Sequence, residues 1–408
     1  MIIIRLQVIT NYLMKKSLLF ILVSLLALLS VRCVGDLVTE DTKFADRQLR
    51  VLLEACDAGD TVRVPASFID STVTFVPITD WVSGFFAGSL WYMYELTGDS
   101  FWELHARAHT ERVDSIKHLT WHHDVRFMIG DSFGNGYRLT GDPAYREVML
   151  EAARSLSTRF RPVAGILQSW NADTGWQHER GWKCPVIVDN MMNLEILFKA
   201  TQESGDSTFY RMAVSHADKT LENHFREDAS SFHVVDYDPE TGEIRGKYTA
   251  QGCDDSSAWA RGQSWGLYGF TMAYEYTRDE RYLAQAERIA QFLLQHPHLP
   301  ADKVPYWDYD APGIPDTYRD VSSAAIMAAA LYRLAGLTGA KTEYKNTADK
   351  ILQSLSSPAY RAELGSNGGF LLKHSVGHLP AGGYVDVPLT YADYYYLEAL
   401  LRKKSLTK

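Results

Sequence analysis

Leu96-Thr97-Gly98-Asp99 divides two stretches of different character. Residues 84–96 before it are apolar and aromatic almost without interruption, whereas the residues after it mix charged and apolar side chains. A glycine that ends one helix in the left-handed conformation, followed at once by an aspartate able to cap the next, marks a helical hairpin. The turn recurs as Leu139-Thr140-Gly141-Asp142, Glu203-Ser204-Gly205-Asp206, Tyr276-Thr277-Arg278-Asp279 and Leu337-Thr338-Gly339-Ala340. Apolar segments precede these turns at 126–139, 189–201, 262–276 and 322–334, and amphipathic ones follow. Over 282–294, for example, Leu283, Ala286, Ile289, Ala290 and Leu293 share one face. A helix that is apolar all round is buried and a one-sided helix is peripheral, so the pattern predicts two concentric rings. The terminal segments 42–55 and 389–401 supply a sixth pair. The expected fold is all-α: an (α/α)6 barrel of six helical hairpins, with short β-type loop segments at 232–237 and 369–372. The competing architecture, an open helical solenoid, is disfavoured by the long loops between hairpins.

Composition bounds the function. The chain has 408 residues, 46% hydrophobic and 22% charged, which is globular. A formal net charge of -9 without a long basic stripe argues against nucleic acid as a partner. Residues 1–40 read as an export segment: Met14-Lys15-Lys16 is a charged start, and 17–31 is the apolar run of a signal peptide. Met14 is a plausible initiator in its own right. Cys33 stands where a bacterial lipoprotein would be acylated, although Arg32 replaces the small residue expected there, and an uncleaved anchor is the alternative. All these readings place the protein outside the cytoplasm, periplasmic or lipid-anchored to a bacterial membrane. Residues 41–408 then form one catalytic domain. Cys56, Cys184 and Cys253 remain, too few and too scattered for a disulfide framework or a C-x-x-C metal pair. No obligate protein partner is implied.

The loops ahead of the apolar helices are polar and aromatic at once: Asp80-Trp81, Trp121-His122-His123-Asp124, Lys183-Cys184-Pro185, residues 254–263, and Arg319-Asp320. In a barrel these helix ends converge on one cavity. Within P-V-I-V-D-N-M-M-N-L-E-I-L-F at 185–198, Asp189 is flanked by Val186, Val188, Met192 and Ile196, with Trp182 upstream. A buried carboxyl without a close cation is held protonated toward neutral pH, which makes an acid catalyst. The plainer reading of Asp189, and of Asp124, is a helix N-cap.

Four chemistries compete. Residues 262–266 fit G-x-S-x-G around Ser264, but that nucleophile elbow needs a preceding strand, and 254–259 is not an apolar strand. His122, His123, Asp124 and His233 offer metal ligands without the H-E-x-x-H spacing. A glycan-binding protein without chemistry would use the 10 tryptophans as platforms. Finally, Asp124 and Asp189 form a carboxylate pair for acid/base work on a sugar.

Several segments decide among these: D-W-V-S-G-F at 80–85, H-D-V-R-F at 123–127, V-D-N-M-M-N-L at 188–194, F-H-V-V-D-Y-D-P-E-T-G at 232–242 and A-W-A-R-G-Q-S-W-G at 258–266. With D-T-Y-R-D-V-S-S-A-A-I at 316–326 and D-V-P-L-T-Y-A-D-Y-Y-Y-L at 386–397, the chain resembles the unsaturated glucuronyl hydrolases, glycoside hydrolase family 88, over residues 44–401. The resemblance implies an (α/α)6 barrel without metal or organic cofactor. It implies an enzyme that removes 4,5-unsaturated glucuronic acid from the non-reducing end of oligosaccharides left by polysaccharide lyases. The related unsaturated rhamnogalacturonyl hydrolases, acting on pectin fragments, are the nearest alternative. By motif match the resemblance makes Asp189 the general acid/base and Asp124 the second essential aspartate, holding sugar hydroxyls. Trp81, His233, Gln251, Arg261 and Trp265 match positions that line the sugar site.

The residue types suit those roles. Arg261 can fork onto the substrate carboxylate, although Asp254 or Asp255 could occupy it instead. Trp81 and Trp265 can stack on the ring or serve as core. His233 and Gln251 can hydrogen-bond the sugar or position water. Burial and the charge of Asp124 are expected to raise the pKa of Asp189 against the lowering effect of a helix N-terminus. One departure is Arg126, where the H-D-x-G-F pattern leads one to expect a small residue. His374, Ser375 and His378, in the loop 365–386, are candidates for contact with the leaving sugar.

Overall fold

Each hairpin turn does what its residues suggest. Gly98, Gly141 and Gly205 take φ of 70°, 70° and 77°, and Arg278 takes the same left-handed position at 57°. The aspartates that follow, Asp99, Asp142, Asp206 and Asp279, each accept a hydrogen bond from the backbone N–H two residues on. One side chain thus closes an orphaned donor of the outgoing helix while the left-handed residue reverses the chain.

The computed structural model describes residues 36–58, 63–339 and 342–406; most of the stretch read above as an export segment lies outside the described residues. Among them are twelve helices of eight residues or more: α1 (Leu37–Asp57), α2 (Phe85–Thr97), α3 (Ser100–Glu111), α4 (Phe133–Thr140), α5 (Pro143–Ser157), α6 (Leu194–Ser204), α7 (Ser207–Asn223), α8 (Ala260–Thr277), α9 (Glu280–Gln295), α10 (Val321–Leu337), α11 (Thr342–Leu355) and α12 (Thr390–Leu406). The even-numbered helices follow one another round the ring, α6 meeting residues 126–130 just ahead of α4, with α12 closing against α2, and α3, α5, α7, α9 and α11 each pack on the helix before them. Every residue of α10 from Val321 to Ala335 is buried, whereas α9 buries only the face of Tyr282, Gln285, Ala286, Ile289, Ala290 and Leu293. The (α/α)6 barrel is therefore built from the alternation of fully apolar and one-sided helices.

The inner helices that begin near the two aspartates depart from regular geometry. Instead of one helix over 126–139, a π turn, Arg126–Gly130, precedes α4. Instead of an α-helix from 189, a 3-10 segment, Val188–Asn193, precedes α6. Tight packing fixes the second. A Cβ on Gly269 of α8 would lie 2.5 Å from Cβ of Met191, so only glycine lets the 3-10 segment seat there.

Among the described residues the loops carry four small antiparallel sheets. β1 (Arg63–Ile69) pairs with β2 (Thr72–Pro77). β3 (Cys184–Ile187), β4 (Val234–Tyr237) and β5 (Ile244–Tyr248) form the largest sheet, which confirms the β-type reading of 232–237. The other expected run, 369–372, is not a strand. The side chain of Asp393 takes the amides of Leu371 and Leu372 at 2.8 and 3.0 Å, so these donors do not serve a ladder. The strands in that region are β6 (Ser375–His378) and β7 (Gly383–Val387).

Arg126 has a structural reason. Its buried guanidinium turns to the end of the barrel opposite the loops just described, where it meets Asp131 at 2.8 Å, Glu195 at 2.8 Å and the hydroxyl of Tyr395 at 3.1 Å. Glu195 is shared with Arg333 at 3.1 Å. Removing one member of a buried ion network strands its partners, so Arg126→Leu is expected to lower stability by about 3–5 kcal/mol. Urea unfolding of the two proteins measures this; a loss under about 1 kcal/mol would show that the network contributes nothing net.

Candidate active site

β3 delivers the chain to Asp189. Its ladder continues past the strand, since the amide of Val188 donates to the carbonyl of His233 at 3.0 Å. That bond places His233 beside Asp189, which is the second residue of the 3-10 segment and 6% exposed. No side-chain cap is made at the start of that segment or of the π turn after Asp124. The N-cap reading of both aspartates is thus replaced: the irregular starts leave both carboxyls free to face a cavity.

That cavity has a volume of about 120 Å³. Asp124, Asp189, Trp81, Gln251, Arg261 and Trp265 all line it. His233 stands behind Asp189, its Nε2 3.6 Å from Oδ2 of the aspartate. Its tautomer is determined by the backbone. Nδ1 accepts the amides of Ala250 and Gln251 at 3.0 and 3.2 Å, so Nε2 carries the hydrogen that points at Asp189. Burial, with Arg261 nearby, pushes the imidazole well below its usual range and keeps it neutral.

Burial pushes the carboxyl of Asp189 up to about 7, opposed in part by the positive charge of Arg261. Asp124 is raised well above the usual range first by burial and then by the like charge of Asp189. Arg261 near Asp189, and the histidines around Asp124, make the two sites unequal.

Arg261 is 2% exposed and pairs with neither Asp254 nor Asp255. Its Nη1 reaches Asp320 at 3.3 Å and the carbonyl of Val376, and its Nη2 reaches the carbonyl of Gly377 at 2.6 Å. Three of its five N–H groups are thus committed, leaving its charge and two donors for a ligand. The guanidinium lies 4.5 Å over the ring of Trp259, which fixes its plane. Trp265 is 1% exposed and packs edge-on against Tyr395 and tilted against Phe127, each at 5.2 Å, so it forms the floor of the cavity. Trp81 is half-buried against Phe85, Phe127 and Tyr391.

Sequence reasoning missed His122, Phe127, Trp170, Ile187 and Trp259 as lining residues. Phe127 and Trp259 stood inside quoted motifs, but Trp170 had no signal beyond being a loop tryptophan. A second cavity of about 480 Å³ continues outward, sharing His122, Trp170 and Gln251 and adding Trp121, Trp176 and His378. Of the three loop candidates, His378 reaches it and bonds the carbonyl of Ala250 at 2.9 Å. His374 pairs with Asp386 at 2.7 Å, and Ser375 is buried.

The competing chemistries lose their geometry. Ser264 lies inside α8, and its hydroxyl bonds Ser323 and no histidine. Among the described residues no group of three or more His, Cys, Asp or Glu is arranged to hold a metal ion. Cys56, Cys184 and Cys253 are free thiols.

Comparison with known proteins identifies the family. The sequence profile of glycosyl hydrolase family 88 matches residues 68–403. An unsaturated glucuronyl hydrolase of Formosa agariphila is 41% identical over 407 residues, covering 96% of this chain and 99% of that protein. An unsaturated chondroitin disaccharide hydrolase of Streptococcus pneumoniae is 35% identical, covering 83% of this chain and 85% of that protein. Among solved structures, an unsaturated glucuronyl hydrolase specific for heparin superposes with a TM-score of 0.85 at 42% identity, covering 90% of this chain and 97% of the other. With a matching profile and a matching fold, the chain belongs to glycosyl hydrolase family 88.

Proposed function

We propose that this protein is an unsaturated glucuronyl hydrolase, removing a 4,5-unsaturated glucuronic acid from the non-reducing end of lyase-generated oligosaccharides of the glycosaminoglycan type. The observation that carries the reading is Asp189: a buried acid raised to about 7, facing a sugar-sized cavity beside a fixed guanidinium. Two relatives with this activity in their names cover 96% and 79% of the chain.

The C4=C5 bond of the substrate is an enol ether to the ring oxygen. Asp189 gives its proton to C4, and the positive charge at C5 spreads onto the ring oxygen. Water then adds at C5 and returns a proton to the Asp189 carboxylate. The resulting hemiketal opens by breaking the bond from C5 to the ring oxygen, which takes the hydroxyl proton. C1 is left bearing a hydroxyl and the glycosidic oxygen, and collapses to an aldehyde as the remaining glycan departs protonated. Arg261 holds the uronate carboxylate with its two remaining donors and its charge. The Nε2–H of His233 faces Asp189 across 3.6 Å, and Asp124 holds sugar hydroxyls. The leaving sugar occupies the outer cavity between Trp121 and Trp176, which are 53% and 41% exposed. The charged and then apolar run at 14–31 supports export to the periplasm or its membrane. Recovery of the protein only from the cytoplasm of its host would refute that part.

Asp189→Asn keeps the shape and removes the proton. It should fold normally and lose about 10²–10⁴-fold in turnover, followed as loss of the ultraviolet absorbance of the unsaturated uronate. Wild-type turnover in that variant would sink the assignment. Unsaturated chondroitin, heparin and rhamnogalacturonan disaccharides, compared side by side, define the substrate.

The pH dependence follows from the same group. The reaction uses protonated Asp189, so kcat should fall as pH rises through about 7. Stability has the same sign. A folded-state pKa raised from 3.8 to about 7 means the folded protein keeps a proton that the unfolded chain releases. The contribution is full below about 4 and is lost as pH rises through about 7. Thermal unfolding across pH 4–8 should show that decline in the wild type and a shallower one in Asp189→Asn.

A further inference from the structure

The hydrogen bonds around Asp124 fix where every nearby hydrogen must be. Asn190 donates its amide to the carbonyl of Leu167 at 2.7 Å, which turns its Oδ1 toward Nδ1 of His123 at 3.3 Å. An amide oxygen only accepts, so Nδ1 of His123 carries hydrogen, and in the neutral ring Nε2 is bare. That bare nitrogen, fully buried and without another partner, faces Oδ2 of Asp124 across 3.4 Å. Nδ1 of His122 also faces Oδ2, at 3.5 Å, and it too is an acceptor, since it takes the amide of Asp124 at 3.1 Å. The other carboxyl oxygen has the opposite surroundings. Oδ1 accepts from Nδ2 of Asn193 at 3.3 Å, an orientation set by Oδ1 of that asparagine accepting the amide of Arg126 at 3.0 Å. One oxygen of Asp124 therefore meets a donor, and the other meets two nitrogen lone pairs.

We infer that Asp124 is a neutral acid in the resting protein, donating from Oδ2 to Nε2 of His123, with His123 as its positioning residue. The alternative is the same proton on His123, giving a buried imidazolium–carboxylate pair. The surrounding charges decide against it. The ring of His123 faces the cation of Arg159, unfavourable to positive charge, and lies parallel at 5.5 Å to His122, which burial keeps neutral. Asp124 faces Asp189 and Asp80, unfavourable to negative charge, with Arg159 as the opposing cation. Burial acts the same way on both partners, holding His123 well below and Asp124 well above their usual ranges. A neutral Asp124 presents one donor and one acceptor to a sugar. It also lets Asp189 release and recover its proton without a second negative charge beside it.

This inference builds on the proposed hydrolase site, but its test reads protonation and folding, so a failed activity assay leaves it standing. The asparagine of Asp124→Asn copies a neutral acid, with its Nδ2 donating to His123 and its Oδ1 accepting from Asn193. Its melting temperature at pH 7 should stay within about 2 °C of the wild type, whereas breaking a buried ion pair would lower it by roughly 5 °C or more. In the Asp189→Asn background, infrared difference spectra at pH 7 should show, over and above the buried acids Asp131 and Asp393 common to every variant, the carbonyl stretch of one further neutral carboxylic acid. Adding Asp124→Asn should remove that band. His123→Gln should shift it, because the partner of the acid changes; a band that does not move would overturn the role of His123. Absence of the band, or a large fall in melting temperature, would place the proton on the histidine and overturn the inference. If His123→Gln does not fold, the nitrogen resonances of His123 in the wild type decide between the neutral ring bearing hydrogen at Nδ1 and the imidazolium.

Discussion

Two asparagines, Asn190 and Asn193, tie the start of one inner helix to the start of the next. Asn193 holds the amide of Arg126 with its oxygen and Asp124 with its nitrogen. Asn190 holds the carbonyl of Leu167 and the ring of His123 in the same way. The amide of Arg126, at the first position of its turn, and the carbonyl of Leu167, in a loop strand, have no partner along a helix axis and pair with these side chains instead. Shortening either asparagine would release one backbone group and one side chain of the site at once. The site therefore depends on a pair of uncharged amides more than on any ion pair near it.

The barrel supplies the surroundings in which such small contacts matter. Five hairpin turns and the pairing of the terminal helices would aim helix starts at one mouth whatever the sequence in the loops, but the low dielectric there comes from aromatic packing. Trp265, Phe127 and Tyr395 exclude water from beneath the aspartates, and Trp259 shields Arg261 and His233 from the side. In that setting the placement of one hydrogen, on His233 or on His123, decides what the adjoining carboxyl can do. Polar groups at the opposite end, around Arg126 and Glu195, are engaged in fold stability and leave the cavity chemistry alone.

Much of this was legible in the sequence, for reasons that differ by residue. The turns were readable because left-handed geometry and aspartate capping are local demands that a few residues must meet, and Arg278 shows that even a missing glycine does not hide the pattern. Asp189 and Asp124 stood out because a carboxylate among apolar neighbours is costly. The irregular helix starts were not legible: a π turn and a 3-10 segment keep the apolar run of an α-helix, and what selects them is packing such as that of Met191 on Gly269. Arg261 was marked as a site residue, but its commitment to Asp320, Val376 and Gly377 arises from loops distant in sequence. Trp170 and His122 reach the cavity only through the folding of loops whose composition carries no period.

The aromatic floor has a consequence for how long a substrate can be handled. Trp265 seals the inner cavity from below, so the sugar that enters can go no further along the barrel axis. Such a blind pocket admits only the tip of a chain and offers no exit on the far side. After each cleavage the freed uronate must back out through the mouth that the shortened glycan occupies. The two products leave in an enforced order, glycan first, and the enzyme cannot creep along a polymer.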